Sequence, residues 1–215
     1  MTLNDEKISF DIASAKKVFF RGKGFFVFSH VYEPAEDTFL VAENLEVQPQ
    51  ETVLDMGTGC GILAVLSASR AKQVVAVDIN PHAVRCANFN AKIHRAQANV
   101  DVVRGDLFEP LRNGRIFDLI IFNAPYLPVE RERCKDWAEY AWSGGKEGRK
   151  VIDRFIAQVK RYIKPNGRLL LVQSTLSNVE QTLKRLREEG FAAKKAAERK
   201  AAFETITLIQ ATLHG

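Results

Sequence analysis

The sequence lacks the residue patterns that build disulfide frameworks, metal centres and membrane spans. Its three cysteines, Cys60, Cys86 and Cys134, have no pairing or metal-ligand spacing, and its four histidines form no H-x-H or H-x-x-x-H pair. We therefore expect reduced thiols and no metal site. No apolar run approaches the roughly 20 residues that cross a bilayer, and the polar N-terminus is unlike a signal peptide. These absences predict a cytoplasmic protein that does not bind the membrane.

The composition is that of a soluble globular domain with a modest excess of positive charge. Of the 215 residues, 46% are hydrophobic and 27% are charged, which suits one domain with a sizeable core. The formal net charge is +5 and the pI is near 9.1. This charge is compatible with an anionic partner such as RNA or a ribosome, although a solvated surface with a slight lysine excess explains it more simply.

A glycine-rich turn is the clearest pattern in the chain. A short buried strand from Thr52 to Leu54 leads to Asp55, and glycines follow at the alternate positions Gly57, Gly59 and Gly61. The apolar run behind them predicts a helix, so backbone at this turn is able to approach a nucleotide-like ligand closely. Asp55 would repel a pyrophosphate but attract the ammonium and sulfonium groups of S-adenosylmethionine. The turn therefore favours S-adenosylmethionine over NAD or FAD.

Apolar segments alternate with helical patterns along the rest of the chain. Further strands are predicted at Gln73 to Ile79, Asn99 to Val103, Phe117 to Phe122, Arg168 to Val172 and Glu204 to Leu213, with a weaker one near Phe191 to Lys195. Helices are predicted at Pro81 to His94, about Lys150 to Ile163, and Asn178 to Glu189, and another follows Asp37 or Thr38 as its cap. This alternation predicts a doubly wound α/β sheet.

Residues 1 to 30 are predicted to be an N-terminal extension with a β-hairpin, and residues 31 to 215 the catalytic domain. Five phenylalanines between positions 19 and 28 flank Gly22 and Gly24 in a lysine-rich stretch. Aromatic rings among lysines are able to stack nucleobases. Packing against the domain is the commoner role for such a hairpin, and we favour it.

Polar side chains follow four predicted strands at their carboxyl ends, namely Asp55, Asp78, Asp106 and Asn123. Ligands of doubly wound sheets bind at this edge. Asp78 lies 21 residues beyond Gly57, which suits a carboxylate that holds a ribose diol. Asp106 is placed to accept a hydrogen bond from an adenine amino group. Any one of these acids could merely cap a helix or turn, but four polar residues in register favour a binding site.

Asn123, Ala124, Pro125 and Tyr126 provide a second half-site. The Asn123 amide oxygen and the Ala124 carbonyl are both able to accept from one NH2 group, while Tyr126 offers a ring face. Two such acceptors would pull a planar nitrogen toward tetrahedral geometry and aim it at a methyl group. No general base is needed, because the nitrogen loses its proton after transfer. For the tetrapeptide alone, a turn in which Pro125 ends a strand is the alternative.

Together these segments resemble a class I S-adenosylmethionine-dependent methyltransferase over about Val31 to Leu213. More narrowly, the chain is similar to the HemK-like glutamine methyltransferases that modify release factors, and most similar to the branch acting on the eukaryotic and archaeal class-1 release factor. The segments that carry this resemblance are the glycine turn and residues 31–40, 78–81, 123–126 and 142–149. The resemblance implies a single-domain, Rossmann-like methyltransferase sheet, mostly parallel, with an antiparallel C-terminal strand.

The resemblance also implies roles for individual residues. The cofactor S-adenosylmethionine would be bound by Thr38, Asp55, Gly57, Gly59, Asp78, Asp106, Leu107 and Asn123. The catalytic residues would be Asn123, Pro125 and Tyr126, with the segment from Asn123 to Tyr126 holding the glutamine side chain. The family usually has Asn-Pro-Pro-Tyr, and here Ala124 keeps the carbonyl but loses the rigidity of proline, which bears on rate more than on reaction type.

A partner protein is implied in the same way, since relatives in this branch work with a small zinc-binding activator. The expected strand order leaves Asn99 to Val103 at an edge of the sheet, where a partner strand could add. The alternative is that the chain covers this edge itself with the phenylalanine-rich residues 19 to 28.

Three hypotheses follow for the function. The first is methylation of the glutamine in the Gly-Gly-Gln motif of a peptide chain release factor. The second is methylation of an amino group on a nucleic-acid base stacked on Tyr126, or of a protein lysine; the chain has no separate target-recognition domain for the former. The third is a non-catalytic RNA-binding protein, which a single basic face made by Lys194 to Lys200 and the hairpin would support.

Overall fold

The computed structural model describes residues 15–130 and 136–215. In chain order the elements are β1 (Lys16–Phe20), β2 (Lys23–Val27), α1 (Glu36–Glu43), β3 (Thr52–Met56), α2 (Ile62–Ala68), β4 (Gln73–Asp78), α3 (Pro81–Ile93), β5 (Val100–Arg104), β6 (Phe117–Asn123), α4 (Trp137–Tyr140), α5 (Lys150–Val159), β7 (Ile163–Ser174), α6 (Val179–Glu188), β8 (Phe191–Lys200) and β9 (Thr205–Leu213). Residues 1–14 of the predicted extension, and Cys134, lie outside the described residues.

Seven strands form one sheet in the order β5-β4-β3-β6-β7-β9-β8. The strands from β5 to β7 along this order are parallel, β9 runs antiparallel to β7, and β8 runs antiparallel to β9. The predicted α/β fold, a doubly wound and mostly parallel Rossmann-like sheet, is confirmed. Its C-terminal part is a long antiparallel pair, because the weak strand predicted from Phe191 extends to Lys200.

The central strands are buried on both faces, as their continuous apolar sequences require. Val53 and Leu54 of β3 and the run from Leu119 to Ile121 of β6 have no exposed surface. Right-handed crossovers place α2, which leads from β3 toward one edge, and α5, which leads from β6 toward the other, on opposite faces. α1 and α3 pack beside α2, and α6 packs beside α5.

A β-bulge after Lys195 changes the face toward which β8 directs its charges. Before the bulge, Lys195 contacts Glu180 of α6 at 3.0 Å. After it, Arg199 pairs with Glu36 and Glu43 of α1. Side chains four positions apart on a regular strand share a face. The extra residue therefore lets one strand bind helices on both faces of the sheet.

β1 and β2 form a separate antiparallel hairpin. Its two loop residues, Arg21 and Gly22, have φ values of 47° and 77°, as in a type I′ turn. The hairpin packs on α3, where the rings of Phe26 and Phe89 meet edge to face with their centroids 5.2 Å apart. It does not pair with β5, whose only paired neighbour among the described strands is β4.

The helix caps were predicted with mixed success. Asn80 caps α3 as expected, with its Oδ1 accepting a hydrogen bond from the backbone two residues on at 2.9 Å, and Pro81 occupies the first turn. The cap predicted for α1 is wrong. Its N-cap is Ala35, and Asp37 and Thr38 lie inside the first turn, where the Asp37 carboxylate faces neighbouring side chains instead.

The segment between α5 and β7 also differs from the prediction. α5 ends at Val159, and β7 already begins at Ile163, which pairs with Phe117. The turn predicted at Lys164 to Gly167 is an irregular part of β7, in which Asn166 has a φ of 61°. None of the described helices is long and apolar enough to span a bilayer.

Candidate active site

A cavity of about 390 Å³ lies at the carboxyl ends of the parallel strands. Its lining includes residues that follow β3, β4, β5 and β6, as a doubly wound sheet predicts. Apart from Asp55, the residues predicted for the site all line this cavity: Thr38, Gly57, Gly59, Asp78, Asp106, Leu107, Asn123, Pro125 and Tyr126. The fold thus brings together segments that are far apart in sequence.

The glycine turn after β3 needs glycine for two different reasons. Gly57, Gly59 and Gly61 have φ values of 64°, 56° and 83°, which side chains rarely adopt. At Gly61 a Cβ would also lie 2.9 Å from the Cα of Ala87, so glycine lets the start of α2 touch α3. At Gly59 a Cβ would meet no atom within 4 Å, because this residue faces the open cavity.

The Asp78 carboxylate connects the glycine turn to the end of β4. It accepts hydrogen bonds from the backbone N–H groups of Gly59 and Asn80, each at 2.9 Å. Burial raises the pKa of the Asp78 carboxyl to about 6, and these backbone donors oppose that rise. Each carboxylate oxygen retains capacity for a second donor, so Asp78 is able to serve both the turn and a ligand in the cavity.

Asp55 lies behind the glycine turn and does not line the cavity. Its side chain is buried and accepts a hydrogen bond from the Thr58 hydroxyl at 2.6 Å. Burial raises the pKa of the Asp55 carboxyl to about 7, despite the Thr58 hydrogen bond. Asp55 therefore acts on the cavity through the turn and through its charge, without direct contact.

The segment after β5 combines an ion pair with a strained backbone. Asp106 accepts a hydrogen bond from Arg154 of α5 at 2.9 Å, and both side chains line the cavity. Leu107 has a φ of 50°, which costs free energy in a residue with a branched side chain. Arg154 was not predicted as a site residue, because a helical sequence pattern does not indicate which basic side chain contacts a distant loop.

Asn123 lies at the end of β6, and the two ends of its side-chain amide have different surroundings. Its Nδ2 donates to the Thr38 hydroxyl at 3.1 Å, across 85 positions of sequence. Its Oδ1 is buried and has no hydrogen-bond partner among the described residues. A buried acceptor without a partner is costly and indicates a site for a donor from elsewhere.

A glycine-rich segment supports the tetrapeptide from behind. Gly148 has a φ of 70°, and a Cβ there would lie 2.2 Å from the Tyr126 carbonyl oxygen. A Cβ on Gly144 would lie 2.5 Å from the Gly148 carbonyl oxygen. Next in sequence, the buried Arg149 donates to the carbonyl oxygen of Ser177 at 2.6 Å, anchoring the segment near α6. The sequence showed the glycines and the arginine as a pattern, but not what they contact.

Aromatic side chains surround the outer part of the cavity. Trp137 and Tyr140 belong to the short helix α4, which the sequence analysis missed, and their ring centroids are 5.6 Å apart. Trp142 and Tyr32 also line the cavity. This wall is apolar and close to Tyr126, so the cavity is able to accept a side chain with a polar end and an aliphatic stem.

The described residues also bear on a metal site and on the single basic face of the RNA-binding hypothesis. These residues contain no group of three histidine, cysteine or acidic side chains arranged to hold a metal ion. The basic stretch of β8 and the hairpin do not form one face, because the hairpin packs on α3 near β5 and β8 is at the opposite edge. Lys195 and Arg199 are moreover paired with acidic side chains.

Comparison with known proteins identifies similar sequences. The family model described as a methyltransferase small domain matches residues 23–138. A Methanocaldococcus jannaschii protein provisionally named a protein N5-glutamine methyltransferase is 40% identical, over 84% of this chain and 91% of that protein. The Homo sapiens methyltransferase HEMK2 is 35% identical, over 89% of this chain and 92% of the human protein.

A solved structure shows a similar fold. A chain of the E. cuniculi Mtq2–Trm112 complex, which is described as responsible for methylation of the translation termination factor eRF1, superposes with a TM-score of 0.69 at 29% identity. The match covers 86% of this chain and 99% of that one.

Proposed function

This chain belongs to the methyltransferase small-domain family and, within it, to the HEMK2-like protein N5-glutamine methyltransferases, and we propose a reaction on that basis. It transfers a methyl group from S-adenosylmethionine to the side-chain amide nitrogen of a glutamine. The glutamine is that of the Gly-Gly-Gln motif in a class-1 peptide chain release factor, and the reaction takes place in the cytoplasm.

The residues around the cavity fit S-adenosylmethionine, which supplies an electrophilic methyl group. Asp78 has unused acceptor capacity for the ribose hydroxyls, and Asp106 is available to the adenine amino group. The glycine turn leaves open space at Gly59 for close approach of the cofactor. Asp55 and Asp78 place two carboxyls near the turn, which favours a cationic cofactor over a pyrophosphate. Thr38, Gly57 and Leu107 complete this half of the site.

The unpartnered Oδ1 of Asn123 is the observation that carries the proposed reaction. An amide nitrogen is a poor nucleophile, because its lone pair is delocalised. Oδ1 of Asn123 accepts from one hydrogen of the substrate NH2, and the Ala124 carbonyl accepts from the other. This holds the nitrogen with its lone pair toward the methyl group, and Pro125 and Tyr126 shape the pocket around it.

Tyr126 acts as a wall and not as a base. Its side chain is only 7% exposed, and burial, followed by the charge of Asp37, raises the pKa of its hydroxyl. The hydroxyl therefore stays protonated at neutral pH. The substrate nitrogen becomes acidic once it carries the new methyl group, so it releases its proton to water without a protein base.

A release factor as substrate is supported by the relatives. Mtq2 of Schizosaccharomyces pombe, 28% identical over 85% of this chain, is named the catalytic subunit of an eRF1 methyltransferase. The E. cuniculi complex is described by the same reaction. Both names concern the methylation of eRF1, and the acceptor half-site here has the chemistry that a glutamine side chain needs.

We further propose that a small zinc-binding activator protein binds at the β5 edge. β5 has unpaired backbone groups on its outer side among the described residues, and Val102 and Val103 are only partly buried. Such an edge recruits a strand from a partner. The hairpin, which was the alternative cover for this edge, packs on α3 instead. A release factor and this activator are thus the proposed partners, with no nucleic acid required.

The test is transfer of label from S-adenosylmethionine, with the activator protein co-expressed, to a mixture of release factor and nucleic acid. We expect label on the release factor, lost when its Gly-Gly-Gln glutamine is replaced by alanine. Label in the nucleic-acid fraction, or on a lysine of the release factor, would refute the proposed reaction. Full activity of the isolated chain, unchanged by the activator, would refute the partner proposal alone.

A further inference from the structure

The Asp37 carboxylate lies beneath the acceptor half-site and contacts several of its parts. Asp37 is buried, and its Oδ1 accepts from the backbone N–H and the hydroxyl of Thr38, at 2.6 and 3.2 Å. Its Oδ2 accepts from the Tyr32 hydroxyl at 3.0 Å. The Tyr126 hydroxyl is close enough to feel the charge of the same carboxylate, which adds to burial in raising its pKa. One side chain at the start of α1 thus binds Thr38 and Tyr32 and lies near Tyr126.

We propose, on the basis of the proposed function, that Asp37 is a positioning residue that fixes the orientation of the Asn123 amide through the Thr38 hydroxyl. A hydroxyl has one proton to donate and lone pairs that accept. A carboxylate only accepts, so the Thr38 proton is directed at Asp37. The lone pairs of the hydroxyl then face Asn123, and they accept only its NH2 end.

We call the hydrogen bonds from Asn123 to Thr38 and from Thr38 to Asp37 the relay. Its consequence is that Oδ1 of Asn123 faces the cavity. If the amide were rotated by half a turn, its Oδ1 would meet the lone pairs of the Thr38 oxygen 3.1 Å away. Its NH2 group would then face the NH2 group of the substrate glutamine, donor against donor. That orientation is unable to hold the substrate nitrogen, so the relay selects the productive orientation of the two.

Two tyrosines near Asp37 extend its role to the shape of the pocket. Tyr32 and Tyr126 both line the cavity, and Tyr32 donates its hydroxyl to Asp37 at 3.0 Å. Glu204 is close enough to add its charge at both hydroxyls. Replacing the Asp37 carboxylate by a neutral side chain would deprive Tyr32 of a charged acceptor, and hydrogen bonds to charged acceptors are the stronger kind.

The test compares Asp37→Asn with wild type in glutamine methylation of the release factor, with cofactor binding measured by calorimetry. An asparagine keeps the size of the side chain but can donate to Thr38, so both amide orientations of Asn123 become accessible. We expect kcat to fall about 10- to 100-fold, as for a misplaced reacting group. The KM for the release factor and the cofactor dissociation constant should change far less. Glu188→Gln, at an exposed position of α6, is the control for loss of one negative charge.

A second pair of variants keeps the test decisive if Asp37→Asn folds poorly. Thr38→Val removes the hydroxyl at constant shape, and Thr38→Ser returns it. Thr38→Ser should recover most of the turnover that Thr38→Val loses. Equal turnover in both Thr38 variants would overturn the positioning role. The same holds if the loss of turnover in Asp37→Asn is explained by weaker cofactor binding. If wild type itself methylates no glutamine, the proposed function fails, and the two failures are thereby distinguished.

Discussion

The side-chain amide of Asn90, on α3, donates to the carbonyl oxygen of Cys60 in the glycine turn at 2.8 Å. The same side chain exchanges two hydrogen bonds with the backbone of Phe26 in β2, donating at 2.7 Å and accepting at 2.9 Å. Asn90 has no exposed surface. A single buried amide therefore joins the N-terminal hairpin, α3 and the glycine turn.

Replacing Asn90 should accordingly affect both folding and cofactor binding. Asn90→Leu removes three hydrogen bonds to backbone groups, of which only the Phe26 carbonyl keeps a donor, the weak Cys86 thiol. Each buried group left unpaired costs about 1–3 kcal/mol. We expect a loss of several kcal/mol in the free energy of unfolding, measured by urea titration, and weaker cofactor binding. Asn88→Leu is the matched control, because Asn88 is exposed and bonds only within α3. Equal stability of the two variants would show that the junction is unimportant.

Asp78→Ala should weaken cofactor binding while leaving the fold intact. Each charge-assisted hydrogen bond lost costs about 1.5–3 kcal/mol, which is about ten- to a hundredfold in affinity. Asp78→Asn keeps an acceptor for Gly59 and should lose less than the alanine variant. Calorimetry with the demethylated cofactor measures both. Unchanged affinity in Asp78→Ala would remove this residue from the site.

Cofactor affinity should fall in mild acid. Burial raises the pKa of Asp78 to about 6 and that of Asp55 to about 7, above the ordinary value of 3.8. These carboxyls thus take up protons in the folded state as pH falls through 7 and 6, and lose the charge that attracts a cationic cofactor. We expect calorimetry to show weaker binding at about pH 5.5 than at about pH 7.5.

The same raised pKa values have the opposite effect on stability. In the unfolded chain the two carboxyls stay ionised down to about pH 4, so between about pH 7 and pH 4 the folded state binds more protons. Their contribution therefore stabilises the cofactor-free fold as pH falls through this range. Asp78→Ala should weaken the pH dependence of both the cofactor affinity and the free energy of unfolding. Equal pH dependence in wild type and variant would contradict a raised pKa of Asp78.

Asn123→Ala should abolish methyl transfer and leave cofactor binding largely intact. The side chain is assigned to the acceptor nitrogen, and its Oδ1 has no partner within the described residues to lose. Transfer of label to the release factor and calorimetry of the cofactor separate the two effects. Near-normal turnover in this variant would show that the amide does not hold the substrate.

Restoring proline in Ala124→Pro should be tolerated. Ala124 is absent from the described non-glycine residues with positive φ, so its backbone lacks the conformation that would exclude a proline ring outright. Its side chain is only 2% exposed, so the added ring atoms have to fit a packed site. We expect turnover at or above that of wild type, with an unchanged melting temperature. A large drop in melting temperature would show that the pocket is shaped around alanine.

Local chemistry accounts for what the sequence predicted correctly. Asn80 and Pro81 predict the start of α3 because a cap is formed by residues adjacent in the chain. Glycines at alternate positions predict the glycine turn, because this turn is likewise formed by residues close together in the chain. Asp37 shows where such reasoning fails. Its position favours a helix cap, but its carboxylate accepts a hydrogen bond from Tyr32 and lies near Tyr126, which only the folded chain brings close.

The sequence indicates Asn123 and Tyr126 as acceptor-site residues but not the contacts that hold them. The Thr38 hydroxyl, which accepts from Asn123, is assigned from the sequence only to the cofactor. The close packing of Gly148 on Tyr126 depends on a positive φ and a contact across the chain. Such pairs leave no periodic signal, so a single sequence does not reveal them.

The open edge at β5 also bears on how the isolated chain behaves at high concentration. The other edge, β8, carries a bulge and the charges of Lys194, Lys195, Glu198 and Lys200, which discourage pairing with another copy. β5 has only Asp101 and Arg104 beside its valines. Aggregation of the purified chain should therefore begin at β5, and a protein that occupies this strand should also protect the solubility of the chain.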